Sequence, residues 1–318
     1  MNLTDERFHN ADKAREWLEK QRWPTGAHCS HCGSFSVTPL QGKAHRPGVW
    51  QCNDCRQQFT VTTGSVMERS KIPLNKWLLA MHLMASSKKG YSAHQLHRTL
   101  GITYQSAWFL AHRIREAMRS DTSKGPLGGE DKVVEVDETY FGQLETPRPS
   151  KQRKGRPFTK KGKTGPGGKR AVVSLVERGG QSRTFHVKHA TAVNVREVIV
   201  RNVSRKSTLH TDESRLYTET GKEFTAHETV KHSAKEYVRG DVHTNTVEGF
   251  FSIFKRGMKG VYQHCGEAHL HRYLAEFDFR YSNRSGLGIE DTERAAKIIF
   301  QSSGKRLTYA SADKAEVA

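Results

Sequence analysis

Two sets of residues in this 318-residue chain have the types and spacing for chemistry: three carboxylate positions and four cysteines. Asp137 lies in VVEVDETYFG, an apolar run with the alternation of a strand. A charge inside such a strand is costly unless it is paired or holds a metal. Alternation sets Glu135 and Asp137 on one face and Glu138 on the other. Asp212 ends a second strand, in STLHTDESRLY; an aspartate there also often caps a following helix, so both readings stand. In HTNTVEGFFSIFKRG, read as a helix, Asn245, Glu248, Ser252 and Lys255 share one face. Hard divalent ions take carboxylate oxygens. Two such ions about 3.5–4 Å apart can activate the attacking oxygen of a phosphodiester reaction and stabilise the leaving one. Asp137, Asp212 and Glu248 would make such a cage, with Lys255 turned toward a phosphate. Taken singly, each position is more often structural than catalytic.

The elements that must position these residues can be read in outline. Three β-rich runs cover 132–142, 169–180 and 182–189, with Gly179-Gly180 as a hairpin signal between the last two. A helix is expected over 192–203, a strand over 206–211, and helices beyond 243. Strands followed by alternating strand and helix argue for an α/β layered domain. Upstream, 5–21 reads as a helix ending before Trp23-Pro24. Residues 73–118 read as helical, with Ser92 as an N-cap and a turn at Gly101. The expected divisions are 1–66, 67–128, 129–290 with a basic insertion at 145–170, and a C-terminal tail at 291–318.

The cysteines form two C-x2-C pairs, Cys29/Cys32 and Cys52/Cys55, with Cys265 apart. Nothing in the sequence suggests secretion, so the pairs read as a metal site and not as disulfides. Four thiolates fill a tetrahedral zinc and leave no open position, which makes the ion structural. His28 and His31 flank the first pair, and either could replace a cysteine. Zinc would hold together residues 28–64, a module too small for a core of its own.

Charge points to nucleic acid. Lys and Arg total 52 against 33 Asp and Glu, a net +19, and phosphate neutralisation supplies most non-specific DNA affinity. Residues 92–118 fit helix, turn, helix. In a DNA-reading version the second helix enters the major groove, with Arg113 and Arg115 among its polar residues; the other reading is a plain helical hairpin. Residues 148–170 hold ten Lys/Arg and no acid; Lys151, Arg153, Lys154, Lys160 and Lys161 are expected to track phosphates, along with Lys255 and Arg256. The charged N-terminus lacks the apolar stretch of a secretory signal, and no 18-residue apolar run exists to cross a membrane.

These segments together resemble a known family. RWPTGAHCSHCGS, WQCNDCRQQFTVTTGSVME, the helical stretch 70–118, VEVDETYFG and the long segment 243–284 are similar to the zinc-ribbon DDE transposases of bacterial insertion sequences, the ISXO-like group. The likeness spans about residues 7–284. It implies an RNase H-like catalytic domain behind a zinc ribbon and a helix–turn–helix, with Mg2+ or Mn2+ in the site beside structural Zn2+. Asp137 and Asp212 match the first two acidic positions. The third position in this group is an acid or an asparagine followed by a lysine, so Glu248 and Asn245 compete. Glu276, Arg280 and Arg284 fall in the matching stretch as supporting or DNA-contacting residues. The resemblance further implies cleavage at transposon ends, strand transfer into target DNA, recognition of terminal inverted repeats, a homo-oligomer on DNA, and a cytoplasmic, nucleoid-associated enzyme. A nuclease of the same fold that cuts without joining, and a non-enzymatic DNA-binding regulator, are the competing functions.

Overall fold

Asn10 breaks the first helical run. Its Oδ1 accepts the backbone N–H of Asp12 at 2.8 Å and of Lys13 at 3.1 Å, a side-chain N-cap. The helix expected over 5–21 therefore divides into a 3-10 turn, Glu6–Phe8, and α1, Ala11–Arg22. The computed structural model describes residues 3–120, 125–145 and 168–308. The chain divides into two units, one of Met1–Arg119 with Gly288–Tyr309, the other built on Ser120–Leu287.

In the first unit, β1 (Val37–Pro39), β2 (Val49–Cys52) and β3 (Gln58–Thr60) form an antiparallel sheet. Trp23 packs edge-on against Trp50 and Phe59 at 6.1 and 5.8 Å, so the cysteine module has a small aromatic core that its polar composition concealed. Helices α2 (Leu74–Ser86), α3 (Ala93–Leu100) and α4 (Tyr104–Met118) follow. Ser92 and Gln95 close a capping box at the start of α3, and Gly101 ends it with φ of 58°, a left-handed cap that glycine adopts at little cost. Thr103 caps α4 by accepting the Ser106 N–H at 3.3 Å.

The second unit is a five-stranded sheet in the order β6-β5-β4-β7-β8. Its strands are β4 (Val133–Phe141), β5 (Arg170–Glu177), β6 (Ser182–Val187), β7 (Thr208–Asp212) and β8 (Ala226–Val230). The first three are antiparallel, and β7 and β8 run parallel to β4. This is the RNase H-like order. The strand β8 was not anticipated from the sequence. One face of the sheet buries Val134, Val136, Ala171, Val173 and Leu175 with Val195 and Ile199 of α5 (Ala192–Asn202). A short α6 (Thr218–Gly221) follows β7. The other face buries Val172 and Val176 with Val247, Phe250 and Phe254 of α7 (Asn245–Gly257) and Leu274 and Phe277 of α8 (Leu270–Ser282). A two-stranded hairpin, β9 (Val238–Arg239) and β10 (Val242–His243), leads into α7.

The chain then returns to the first unit as α9, Asp291–Gln301. Residues 291–318 were expected as a tail, and this part of that expectation is corrected. Ala295, Ile298 and Ile299 are buried, and Arg294 donates to the Ala85 carbonyl at the end of α2 at 3.1 Å. Beyond the helix, Gly304 N–H donates to Gly64 O at 2.8 Å. An amphipathic helix needs a partner face, and this one finds it among α1, α2 and α4.

Candidate active site

The alternation of β4 determines which side chains meet. Val134 and Val136 enter the core on the α5 side, so Glu135 and Asp137 face α7, as the period-2 rule requires. The parallel ladder pairs Val133 with Thr208, Val134 with Leu209 and Glu135 with His210; continued in the same register, it brings Asp137 opposite Asp212. Asp137 Oδ1 accepts the Glu138 N–H at 2.8 Å, and Asp212 Oδ1 accepts the Ser214 N–H at 3.0 Å. Asp212 thus makes a local turn bond and does not cap the following helix, the structural alternative expected of it.

Glu248 stands in the first turn of α7, where its Oε1 accepts from Thr244 Oγ1 at 2.9 Å and lies 3.8 Å from His232 Nε2. Asn245 is the first residue of the same helix, and both are exposed. Burial, then Glu138 and Asp212, with Glu248 adding, push the Asp137 carboxyl up to about 8. Burial also raises Glu138, against the hydrogen bond that Tyr217 donates to it. Burial lowers the Lys255 amine while Asp137, within electrostatic reach, opposes that effect. Its Nζ stands 5.9 Å over the Phe251 ring. A carboxyl held near 8 by burial and by other carboxylates marks a site short of positive charge, which a divalent ion would supply. The carboxylates do not close into a metal-sized cluster: among the described residues only the cysteines bring three or more such ligand atoms within 4.8 Å.

The four sulfurs do close. Cys29 and Cys55 are 3.6 Å apart, as are Cys32 and Cys52, and all four lie within 4.8 Å of one another. A tetrahedral ion with Zn–S bonds of about 2.3 Å needs sulfurs roughly 3.8 Å apart. Backbone N–H groups of His31 and Cys55 point at Cys29 Sγ and Cys52 Sγ, at 3.3 and 3.5 Å. The N–H of Cys55 brings the Cys52 thiol down to about 7; against a hydrogen bond from Gln57, burial and the neighbouring sulfurs push Cys55 up to about 12. Four thiols at this spacing cannot all ionise without a cation. The His28 ring packs instead between Trp23 and Phe35, at 6.3 and 5.6 Å.

Two family models match the chain. The ISXO2-like transposase domain matches residues 126–282, and a transposase zinc-ribbon domain matches residues 9–58. The chain carries an ISXO2-like transposase domain behind a transposase zinc ribbon. An uncharacterized protein in transposable element ISH50 of Halobacterium salinarum is 29% identical over 281 residues, covering 86% of this chain and 91% of that one. Among solved structures, the Mos1 transposase paired-end complex with left transposon end shares 13% identity, with 63% of this chain and 78% of that chain covered and a TM-score of 0.22. The Mos1 strand transfer complex shares 12%, with 73% and 79% covered and a TM-score of 0.23. Likeness at that level does not fix side-chain placement.

Two residues expected on the DNA side of the transposase lie elsewhere. Arg113 and Arg115 are buried, at 7% and 2% exposure. Every residue of α4 from Leu110 to Arg115 is buried, so this half of the helix presents no side chain to a groove. Arg113 donates to Glu68 O at 2.5 Å and sits over Trp77 and Phe109 at 5.2 and 5.5 Å. Only the first turn of α4, with Tyr104 and Gln105, is open to solvent, along with His94, Gln95, Arg98 and Thr99 of α3. Arg256 is exposed and donates to Ser252 Oγ at 2.5 and 3.2 Å. Lys151, Arg153, Lys154, Lys160 and Lys161 lie outside the described residues. Glu276 is fully buried, accepts from Tyr262 at 2.5 Å and pairs with buried Arg280. Arg284 donates to Gly180 O at 2.9 Å. These are bonds inside the unit; Glu276 and Arg280 are buried in it, while Arg284 stays partly exposed.

Sequence reasoning passed over Arg178. It lies just beyond β5, in a position where arginine is ordinarily solvated. Its Nε donates to Glu135 Oε1 at 2.7 Å, its Nη1 to Asp241 O and Oδ2 at 2.8 and 3.0 Å, and its Nη2 to His210 Nδ1, His243 Nδ1 and His243 O at 3.2, 2.9 and 3.0 Å. A guanidinium only donates, so both rings offer it a lone pair. Glu135 was the one available signal: a second charge in the same apolar strand, which must have a partner.

Proposed function

We propose that this transposase cuts DNA at transposon ends by metal-assisted hydrolysis and joins the freed end to target DNA. The observation that carries the proposal is the Asp137 carboxyl, set in register with Asp212 on the neighbouring parallel strand and pushed up to about 8 by burial and by surrounding carboxylates. Asp137, Asp212 and Glu248 would hold Mg2+ or Mn2+, which when bound polarises the phosphate and lowers the barrier to attack on it. Asp137 and Asp212 are fixed by the sheet; Glu248 is oriented by Thr244 and His232. Asn245 aims a water, a phosphate oxygen or Glu248. Lys255 neutralises charge on the phosphate side. In the first step water adds to phosphorus and the P–O3′ bond breaks, leaving a 3′-hydroxyl on the element and a 5′-phosphate on the flank. In the second, that 3′-oxygen attacks a target phosphorus and displaces a target 3′-oxygen, so one phosphodiester replaces another and no covalent protein intermediate forms.

In this reading, Zn2+ on the four cysteines is structural. The ribbon and the exposed ends of α3 and α4 recognise terminal inverted repeats, the basic segment 148–170 tracks phosphates, and a homo-oligomer pairs two ends. No helix among the described residues is long and apolar enough to cross a membrane. A cytoplasmic, nucleoid-associated enzyme fits that activity.

The test is single-turnover end cleavage by Glu248→Gln and Asn245→Ala, each titrated with Mg2+ and Mn2+. Glu248→Gln should lose cleavage at every metal concentration while keeping end binding. Cleavage retained by Glu248→Gln and lost by Asn245→Ala would give the third position to Asn245. Strand transfer from pre-cleaved ends separates a transposase from a nuclease that only cuts.

A further inference from the structure

The three elements that carry the carboxylates are tied together one layer below them. Glu135 lies two residues before Asp137 on β4, and His210 lies two before Asp212 on β7. Both pairs keep one face of the sheet, and two residues of strand span roughly 6.6 Å. His243 closes the hairpin just before α7, the helix of Glu248. Arg178 bonds to all three: Glu135, His210 and His243.

The N-terminus of α7 gives this cluster its purpose. Helix starts leave backbone N–H groups unpaired, and a neighbouring side chain usually caps them. Thr244, the residue at the cap position, makes no such bond, since its hydroxyl goes to Glu248. Glu135 takes its place from the strand: its Oε2 accepts the N–H of Thr246 at 2.8 Å and of Val247 at 3.0 Å, and its Oε1 accepts the Thr246 hydroxyl at 2.7 Å. The carboxylate is fully buried, and a buried carboxylate held by an arginine and a helix start is both satisfied and fixed.

We propose that Glu135, held by Arg178, is a positioning residue of the reaction: it seats the start of α7 on β4 and thereby sets Glu248 against Asp137 and Asp212. The role rests on the carboxylate site proposed above. Moving α7 by a fraction of an ångström would shift Glu248 without touching either aspartate, because both aspartates belong to the sheet and Glu248 does not.

The experiment uses the full-length, zinc-loaded transposase and four variants: Glu135→Gln, Arg178→Lys, Thr246→Val and Asp137→Asn. Four quantities are measured: thermal unfolding, binding to a duplex carrying the element's terminal repeat, Mn2+ binding from the loss of free-ion resonance, and single-turnover cleavage against metal concentration. Supporting residues behind metal ligands typically change metal affinity or rate about 10–100-fold. Glu135→Gln is expected to weaken Mn2+ binding and slow cleavage within that range, to keep end binding within about twofold, and to recover part of its rate at saturating Mn2+. Arg178→Lys keeps the charge but not the planar fork, and should fall between it and wild type. Thr246→Val removes one bond and should move Mn2+ affinity a few-fold in the same direction. A folded Glu135→Gln with wild-type Mn2+ affinity and rate would overturn the proposal. If that variant does not fold, wild-type metal affinity in both Arg178→Lys and Thr246→Val overturns it instead. Asp137→Asn separates the two readings. Cleavage retained in Asp137→Asn refutes the site and the role of Glu135 with it. Cleavage lost there but intact in Glu135→Gln refutes only the role of Glu135.

Discussion

Asp137→Asn should stabilise the transposase when no divalent ion occupies the proposed site. Burial, Glu138 and Asp212 raise this carboxyl from 3.8 to about 8. The folded state therefore holds a proton that the unfolded chain has released between those values, and stability falls as pH rises through that window. One linked proton is worth about 1.4 kcal/mol per pH unit, which sets a ceiling of about 4 kcal/mol at pH 7 and about 5 at pH 8. Asparagine does not titrate, and its carbonyl oxygen can still accept the Glu138 N–H. A domain of this size shifts its melting temperature by about 2–4 °C per kcal/mol, so the ceiling at pH 7 is roughly 8–16 °C. The assay is differential scanning calorimetry of both proteins from pH 4 to pH 8. The buffer is free of Mg2+ but contains no chelator, so that the ribbon keeps its zinc. The transition of the catalytic unit should rise by at least about 4 °C in the variant at pH 7, further at pH 8, and by almost nothing near pH 4. Saturating Mg2+ should raise the wild type and leave the variant nearly unmoved, since ligand binding stabilises only the form that binds. A gap under about 1 °C at pH 8, or one that widens toward acid, would refute the electrostatic reasoning.

Four further outcomes are expected. Cys52→Ser should release one zinc per chain by metal analysis and unfold residues 28–64 while the catalytic unit keeps its own transition. Because Cys55 is pushed up to about 12, zinc binding must expel protons, so affinity should rise with pH in a competition titration; a pH-independent affinity would contradict the four-thiolate site. Arg113→Ala should cost about 2 kcal/mol or more in urea unfolding of the first unit, through its lost charged hydrogen bond and ring contacts, and leave duplex affinity of the folded protein unchanged. Neutralising Lys151, Arg153, Lys160 and Lys161 together should flatten the log–log salt dependence of DNA binding by roughly three to four units; an unchanged slope would remove the segment from the DNA interface.

Much of the catalytic unit was legible because strand and helix periods are short-range signals. β4, β5, β6, α5 and β7 fall within three residues of where alternation and helical spacing set them, and the same alternation placed Glu135 with Asp137. The cysteine spacing likewise announced a metal site, since ligand geometry is encoded locally. What failed was longer-range. Arg113 and Arg115 were read as surface residues because charge is usually solvated, yet α4 is enclosed and Arg113 finds a carbonyl and two rings there. α9 was read as a tail because its apolar stripe of Ala295, Ile298 and Ile299 is brief, and its partners lie some 200 residues earlier in the chain. Arg178 escaped notice because its partners come from β4, β7 and the hairpin before α7, three segments that only the folded sheet brings together.

The return of α9 to the first unit has a consequence during synthesis. The helices that receive Ile298 and Ile299 are complete once residue 118 has been made, but their partner follows only after the whole catalytic unit. At about 5–20 residues per second, that gap lasts roughly 9–36 s, with an apolar face waiting uncovered on the ribosome. A chaperone that shields apolar surface has its natural target in that interval. The delay also acts as a completeness check. A chain truncated before Asp291 would carry every proposed catalytic carboxylate and all four cysteines, yet its first unit would lack the closing helix. Such a product is expected to aggregate or be degraded before it can engage DNA, so only a chain translated through α9 delivers a working transposase.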